Sequence, residues 1–260
     1  MIKMIASDID GTLLQNGETA VRPELFPLIE RLMKKGIVFC AASGRQYTCL
    51  LGLFQPVADR IHFICENGTL AFAPDGTAIS KRSLPREDAM EMIDSILKMD
   101  RCEVLISGER TCYIMPKEDD FLPLVRDFVG NHTTVITSPE EIKEEIVKIA
   151  AYCREGVGEA LPFLKNRWEK QYSVALGGAL WVDLMRSNKA IGLQNVCDVL
   201  GIAPSEVMAF GDNFNDVEML RFAGEAYAMA HSHPEVQAAA KNVCARVEPE
   251  LERFLMEIGG

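Results

Sequence analysis

The sequence predicts an α/β fold: a parallel sheet covered by helices and interrupted once by an inserted α+β segment. Three observations predict it. Short apolar runs at 4–6, 37–41, 61–65 and 207–210 each end in polar or acidic residues and are separated by helical patterns, the rhythm of a parallel sheet with helices on its faces. Between residues 84 and 186 that rhythm gives way to helices and hairpins. At Lys189 it returns. The expected division is a core of residues 1–83 and 187–260 with residues 84–186 inserted as a second, α+β unit of ordinary domain size.

The elements follow in order. Met4-Ile5-Ala6 drives into Asp8-Ile9-Asp10-Gly11-Thr12, a buried strand ending in two carboxylates. Residues 22–35 carry Leu25, Leu28, Ile29, Leu32 and Met33 at helical spacing, and Gly36 stops the helix. The strand at 37–41 ends at Ser43-Gly44-Arg45, and a short helix runs to about residue 54. The strand at 61–65 ends at Glu66-Asn67-Gly68. In the inserted stretch, 89–99 is helical in pattern, and strands 102–106 and 111–115 flank Ser107-Gly108-Glu109-Arg110 as a hairpin. A helix at 118–129, a strand at 133–136 and a capping box with proline at Ser138-Pro139-Glu140-Glu141 follow. A strand at 146–152, a helix at 158–165 and a hairpin of 172–176 with 180–185 complete the insertion. The chain closes with a helix from Lys189 to Leu200, stopped by Gly201, a strand at 207–210, a helix at 217–222, a strand at 226–230, and helices at 234–240 and 249–258.

Composition excludes several function classes. Of the 260 residues, 48% are hydrophobic and 25% charged, enough apolar material for a substantial core. The net charge of −11 and the lack of a Lys/Arg cluster argue against a nucleic-acid or membrane surface. No apolar run approaches the ~20 residues of a membrane helix, and no basic-then-apolar leader opens the chain. The eight cysteines are scattered without a CxxC, so free buried thiols in a reducing compartment are expected and the protein reads as cytoplasmic, a monomer or weak homo-oligomer.

Polar loops follow three of the strands: Asp8-x-Asp10, Ser43-Gly44, and Asp212 to Asp216. In an open α/β sheet ligands sit beyond the carboxyl ends of the strands, so these loops can converge. Asp8, Asp10, Asp212 and Asp216 would then repel one another unless a cation intervened. A hard divalent ion with oxygen ligands answers that need, and Mg²⁺ suits a site of few protein ligands completed by water. Asp212-Asn213-Phe214-Asn215-Asp216 also looks like the start of an EF-hand loop, but Val217 stands where glycine is required and Ala223 where glutamate is, so that reading fails.

This ordered set resembles the haloacid dehalogenase-like (HAD) phosphatase superfamily, and within it the Cof-type branch (subfamily IIB) with a C2 cap. Its four motifs appear as Asp8-Ile9-Asp10-Gly11-Thr12, Ser43-Gly44-Arg45, Lys189 and Gly211-Asp212-Asn213-Phe214-Asn215-Asp216, and Glu66-Asn67-Gly68 and Trp181-Val182-Asp183 also look like that branch. The resemblance implies a Rossmann-like HAD core, residues 84–186 as an α+β cap, and Mg²⁺-dependent hydrolysis of a small phosphorylated metabolite such as a sugar phosphate. It implies Asp8 as nucleophile, giving an aspartyl-phosphate, and Asp10 as general acid and then base. Asp8, Asp212 and the Asp10 carbonyl would bind the metal. Ile9, Ser43, Gly44, Asn215 and Lys189 would hold the phosphate. Thr12 and Asp216 would stand behind them, Thr12 bracing the loop and Asp10, Asp216 beside the metal or orienting Lys189.

Two departures from the family pattern stand out: Ala190 after the lysine, and Ala230-His231-Ser232 where Gly-Asn-Ala is usual. His231 and His233 read as loop histidines. Arg45 is placed either on substrate or on an acid such as Glu66. Trp181 and Met185 read as cap or hinge core. A phosphomutase on the same scaffold, and a non-catalytic phospho-ligand sensor, remain open as alternatives.

Overall fold

The computed structural model describes residues 1–259. In chain order its elements are β1 (Met4–Ser7), α1 (Leu25–Lys34), β2 (Val38–Ala42), α2 (Tyr47–Leu53), β3 (His62–Cys65), β4 (Leu70–Phe72), β5 (Ala78–Lys81) and α3 (Arg86–Leu97). There follow β6 (Cys102–Ser107), β7 (Cys112–Ile114), α4 (Phe121–Pro123), β8 (Thr133–Val135), β9 (Lys148–Cys153), α5 (Ala160–Trp168), β10 (Ser173–Gly178) and β11 (Trp181–Met185). The last are α6 (Lys189–Leu200), β12 (Val207–Gly211), α7 (Val217–Phe222), β13 (Glu225–Met229), α8 (Pro234–Gln237), β14 (Asn242–Cys244) and α9 (Val247–Gly259).

Two sheets organise the chain. The first has the order β14-β13-β12-β1-β2-β3-β4-β5. It is parallel from β14 to β3, and β4 and β5 add an antiparallel edge. Alternation along its strands buries both faces. Ile5, Phe39, Phe63 and Phe210 pack with Leu25 and Leu28 of α1, Leu50 of α2 and Leu251 of α9. Met4, Ala6, Cys40, Ile64 and Ala209 face the other way, onto Leu193 and Val196 of α6 and Met219 of α7. The sequence reading missed β4, β5 and β14. All three have only three or four residues, β14 and β5 at the sheet's two edges and β4 next to β5, too short to carry a period-2 signal of their own.

The second sheet, β10-β11-β9-β6-β7-β8, is antiparallel except between β7 and β8. Its helices α3 and α5 cover one face, where Met92, Ile93, Ile96 and Leu164 meet Val104, Ile106, Ile149, Val182 and Leu184. The opposite face carries Leu105, Ala150, Tyr152 and Trp181, roofed in part by Phe121 and Val125. Three sequence expectations shorten here. The helix expected at 118–129 starts at Phe121 and continues as a π-helical turn, Leu124–Phe128. The capping box at Ser138 forms, yet opens only a 3₁₀ turn, Pro139–Glu141. The helix expected at 234–240 ends at Gln237.

Candidate active site

The topology brings the three polar loops together. β1 lies between β12 and β2, with Ser7 opposite both Phe210 and Ala41. The chain therefore leaves three adjacent parallel strands at the same end, into residues 8–12, 43–45 and 211–216. The Asp8 amide still donates to the Phe210 carbonyl, at 2.9 Å, and so fixes Asp8 at the sheet's edge. Gly11 completes the turn with φ +94°, and a Cβ there would fall 2.1 Å from Asp212 Oδ2. Only glycine lets the two loops approach this closely.

Lys189 opens α6, with the Asn188 side chain capping the helix through the Ile191 amide at 2.9 Å. Its ammonium is fully buried and donates to Asp8 Oδ1 at 2.5 Å and to Asp216 Oδ1 at 2.6 Å. Burial alone would depress Lys189, but the Asp216 and Asp8 carboxylates outweigh it and hold the group charged, above the usual lysine range. Asp216 uses its other oxygen, Oδ2, to accept from the Asp212 and Asn213 amides, each at 3.0 Å. Both of its oxygens are therefore committed to holding Lys189 and the 212–213 loop.

Asp8, Asp212 and Asp216 bring carboxylate oxygens within 4.8 Å of one another. Burial, with Asp216 and Asp212 beside it, raises Asp8 well above the carboxylate range against the pull of Lys189. Burial and Asp216 raise Asp212 as well. Asp8 Oδ2 is buried without a hydrogen-bond partner among the described residues. Asp212 Oδ1 accepts from Thr12 Oγ1 at 3.3 Å, so Thr12 braces Asp212 and not the expected Asp10. An orphaned carboxylate oxygen beside a second carboxylate suits a hard cation, which would satisfy both and relieve their repulsion. The Asp10 side chain is outside this cluster. It is half exposed and held by Arg45, through Nε to Oδ2 at 2.8 Å and Nη2 to Oδ1 at 2.6 Å. Arg45 therefore pairs with Asp10 and not with Glu66.

Of the expected phosphate contacts, Ser43, Gly44 and Asn215 line a cavity of about 630 Å³ between the two sheets, together with Asp8 and Asp10, whereas Ile9 and Lys189 are not in its wall. Ser43 is buried and its Oγ accepts from the Arg45 amide at 3.2 Å. The Gly44 carbonyl accepts from Lys148 Nζ at 2.9 Å. Asn215 Nδ2 donates to Asn67 Oδ1 at 3.0 Å. The buried Ile9 carbonyl takes the amides of Thr12, Leu13 and Leu14, tightening the loop after β1. The second sheet supplies the opposite wall with Leu105, Lys148, Ala150, Trp181 and Asp183. Trp181 thus lines the cavity, contrary to the expectation that it is core, its ring backed by Tyr152 at 4.9 Å and Phe121 at 6.3 Å. His231 Nε2 lies 3.7 Å from Asp212 Oδ2 at the exposed rim. His233 caps α8 through the Glu235 amide.

The sequence reading placed Glu66, Asn67 and Asp183 in motifs of the branch without giving them a role in the site, and passed over Lys148; all four are buried at this junction. The available signal was the charge on Lys148 and Asp183, each set in an otherwise apolar strand on the face of Ala150 and Trp181.

Comparison with known proteins adds to this geometry. A family model described as haloacid dehalogenase-like hydrolase matches residues 5–249. The chain is 29% identical over 246 residues to the 5-amino-6-(5-phospho-D-ribitylamino)uracil phosphatase YbjI of Escherichia coli, covering 92% of this chain and 89% of that protein. It is 26% identical over 267 residues to the Bacillus subtilis protein of the same activity name, YitU, covering 98% of this chain and 96% of that protein. A crystal structure of a Eubacterium rectale protein, 30% identical, superposes with a TM-score of 0.84 over 97% of this chain and 99% of that one.

Proposed function

The chain belongs to the haloacid dehalogenase-like hydrolase family, and from that premise we propose that it is a Mg²⁺-dependent phosphatase of small phosphorylated metabolites, working through an aspartyl-phosphate. One observation carries the reading. Asp8 is buried at the floor of the cavity with one oxygen held by Lys189 and the other without a partner among the described residues. A carboxylate oriented by a fixed cation, with lone pairs to spare beyond the Lys189 contact for both a metal and phosphorus, is set up to attack an incoming phosphoryl group.

Asp8 forms the new O–P bond while the bond from phosphorus to the leaving oxygen breaks. Asp10, at the cavity wall on a half-exposed side chain, gives its proton to the leaving alkoxide. It then takes one from the water that cleaves the acyl phosphate, restoring Asp8 and releasing inorganic phosphate. Lys189, Ser43, the Gly44 amide and Asn215 neutralise and orient the phosphoryl oxygens, the main work of such a site. Arg45 must release Asp10 for that exchange, and an arriving phosphate is the natural competitor for its guanidinium. Mg²⁺ would be held by Asp8, Asp212 and the Asp10 carbonyl, and supplies charge neutralisation for the phosphoryl group. Asp216 and Thr12 keep Lys189 and Asp212 in place.

Residues 84–186 act as a cap on a core of 1–83 and 187–260. The cap wall of Leu105, Ala150 and Trp181 favours a leaving group with a flat, apolar part as well as polar ones. Two relatives are named for a phosphorylated ribitylaminouracil, which combines a pyrimidine ring with a polyol, so that compound heads the substrate panel. The deciding experiment is a screen of phosphomonoesters with Mg²⁺, using wild type and Asp8→Asn. Inorganic phosphate released by the wild type and not by the variant is expected. Turnover by Asp8→Asn removes Asp8 as nucleophile, and phosphate moved within the substrate instead of released makes the protein a mutase.

A further inference from the structure

We infer that Lys148 and Asp183, both on the second sheet, are positioning residues that set the phosphate-binding groups of the first, so that the phosphate site is complete only when the second sheet is seated on it. The inference rests on the assignment of Ser43 and Asn215 as phosphate donors made above.

Two relays run from one sheet to the other. In the first, Lys148 Nζ donates to the Gly44 carbonyl at 2.9 Å. The N–H of that same peptide unit, on Arg45, donates to Ser43 Oγ at 3.2 Å. With an acceptor lone pair of Oγ filled by the amide, the hydroxyl hydrogen is left to point elsewhere, toward a phosphate oxygen. In the second, Asp183 Oδ2 accepts from Asn67 Nδ2 at 2.8 Å, and Asn67 Oδ1 accepts from Asn215 Nδ2 at 3.0 Å. Each amide can be satisfied in only one orientation. The carboxylate of Asp183 fixes Asn67, and Asn67 in turn fixes Asn215, leaving the second Asn215 N–H free for the substrate.

The linking residues are held in an unusual state. Lys148 also meets Glu66 Oε2 at 2.5 Å and lies 3.6 Å from Asp183, and all three side chains are nearly fully buried. Glu66 and Asn67 are consecutive non-glycine residues at φ +49° and +54°. Such backbone is costly for L-residues and persists where surrounding contacts over-determine it. Here the backbone is held within the first sheet, the Glu66 amide donating to the Arg45 carbonyl at 3.1 Å and the Asn67 amide to the Ser43 carbonyl at 3.0 Å, while Lys148 and Asp183 of the second sheet hold the two side chains. The junction is also reversible by its chemistry. A buried ion pair gains little net free energy over its hydrated ions, so separation into water restores most of what closure gives. Such a pair fixes geometry more than it supplies adhesion. An apolar seal would do the opposite.

Substrate closure completing a site is a general device. What is specific to this chain is that neither Lys148 nor Asp183 needs to touch substrate, and that both act on the phosphate end of it. The test follows from that. Full-length wild type, Lys148→Met and Asp183→Asn are compared in Mg²⁺ by two readouts, kcat/KM for acetyl phosphate and the affinity for inorganic phosphate by calorimetry. Acetyl phosphate has almost no leaving group for the cap to recognise. Both variants should lose roughly tenfold or more in each readout, the size of effect that sub-ångström misplacement of catalytic groups produces. Melting curves check folding, and Glu66→Gln/Lys148→Met, which removes the buried Glu66–Lys148 pair together and leaves Asp183 in place, replaces the single variant if that fails to fold. Phosphate affinity and acetyl phosphate turnover within about twofold of wild type in folded variants, well under one decade of binding or barrier, would overturn the inference, and leave Lys148 and Asp183 as packing alone. Absence of turnover in the wild type would sink the phosphatase reading, while the phosphate titration would still decide the relays. Wild type that binds no phosphate removes both.

Discussion

Replacing Lys189 by methionine exposes how the cluster of acids is tolerated. The ammonium lies 2.5 Å from Asp8 and 2.6 Å from Asp216, all three groups being nearly inaccessible to water. At an effective dielectric of about 20, each contact amounts to roughly 6 kcal/mol of Coulomb attraction before desolvation is subtracted. Most of that is consumed in burying the ions, and removing one partner of a buried pair is known to cost about 3–5 kcal/mol. Lys189→Met keeps the length and helix propensity of the side chain and deletes only the charge. It leaves Asp8 and Asp216 facing each other and Asp212 uncompensated. Urea unfolding of metal-free protein at neutral pH should therefore show a loss of about 3–5 kcal/mol. Adding Asp216→Asn to the variant should return more than half of it, because one of the two carboxylates left without a counter-charge is then replaced by a neutral amide. A loss below about 1 kcal/mol, typical of an exposed pair, or a double variant no more stable than the single one, would refute the account of Lys189 as the cluster's neutralising charge.

Two other outcomes follow from the same residues. Asp8 and Asp212 are both raised by burial and mutual repulsion, with Lys189 opposing and His231 near Asp212 at the rim. Groups raised on folding contribute stability that is fully present below their unfolded pKa of about 4 and lost as pH climbs through the folded values. Metal-free protein should thus melt at progressively lower temperature as the pH rises, and Mg²⁺, which competes with those protons, should raise Tm more at about pH 8 than at about pH 5. A pH-independent Mg²⁺ increment would place the ion elsewhere. For Trp181→Ala, stacking worth about 0.5–1.5 kcal/mol converts to a roughly threefold to tenfold lower kcat/KM for aryl phosphates. Acetyl phosphate should lose less, and equal losses on both substrates would return Trp181 to a packing role.

The parts of the molecule that were legible in the sequence share a physical reason. The parallel strands at 4–7, 38–42, 62–65 and 207–211 are buried on both faces, so each is a continuous apolar run that stands out. The acids that follow them stand out because carboxylates at the end of a buried strand demand a partner. Lys189 was readable only through its place in the ordered motifs, since one lysine at a helix start looks like any other. Lys148 has no such neighbourhood of motifs. Within Lys148-Ile149-Ala150-Ala151-Tyr152-Cys153 alternation shows which residues share a face, and a lysine on the less apolar face reads as solvated. What buries it is Glu66, some eighty positions away, and the Gly44 carbonyl more than a hundred away. Trp181 fails for the opposite reason: an aromatic residue in an apolar strand satisfies the pattern of a core position, and only the gap between the two sheets turns that face into a wall. Residues whose role is made within one strand–loop–helix unit are visible in order along the chain. Those whose role is made by one sheet meeting another are not, because burial at that junction belongs to neither segment alone.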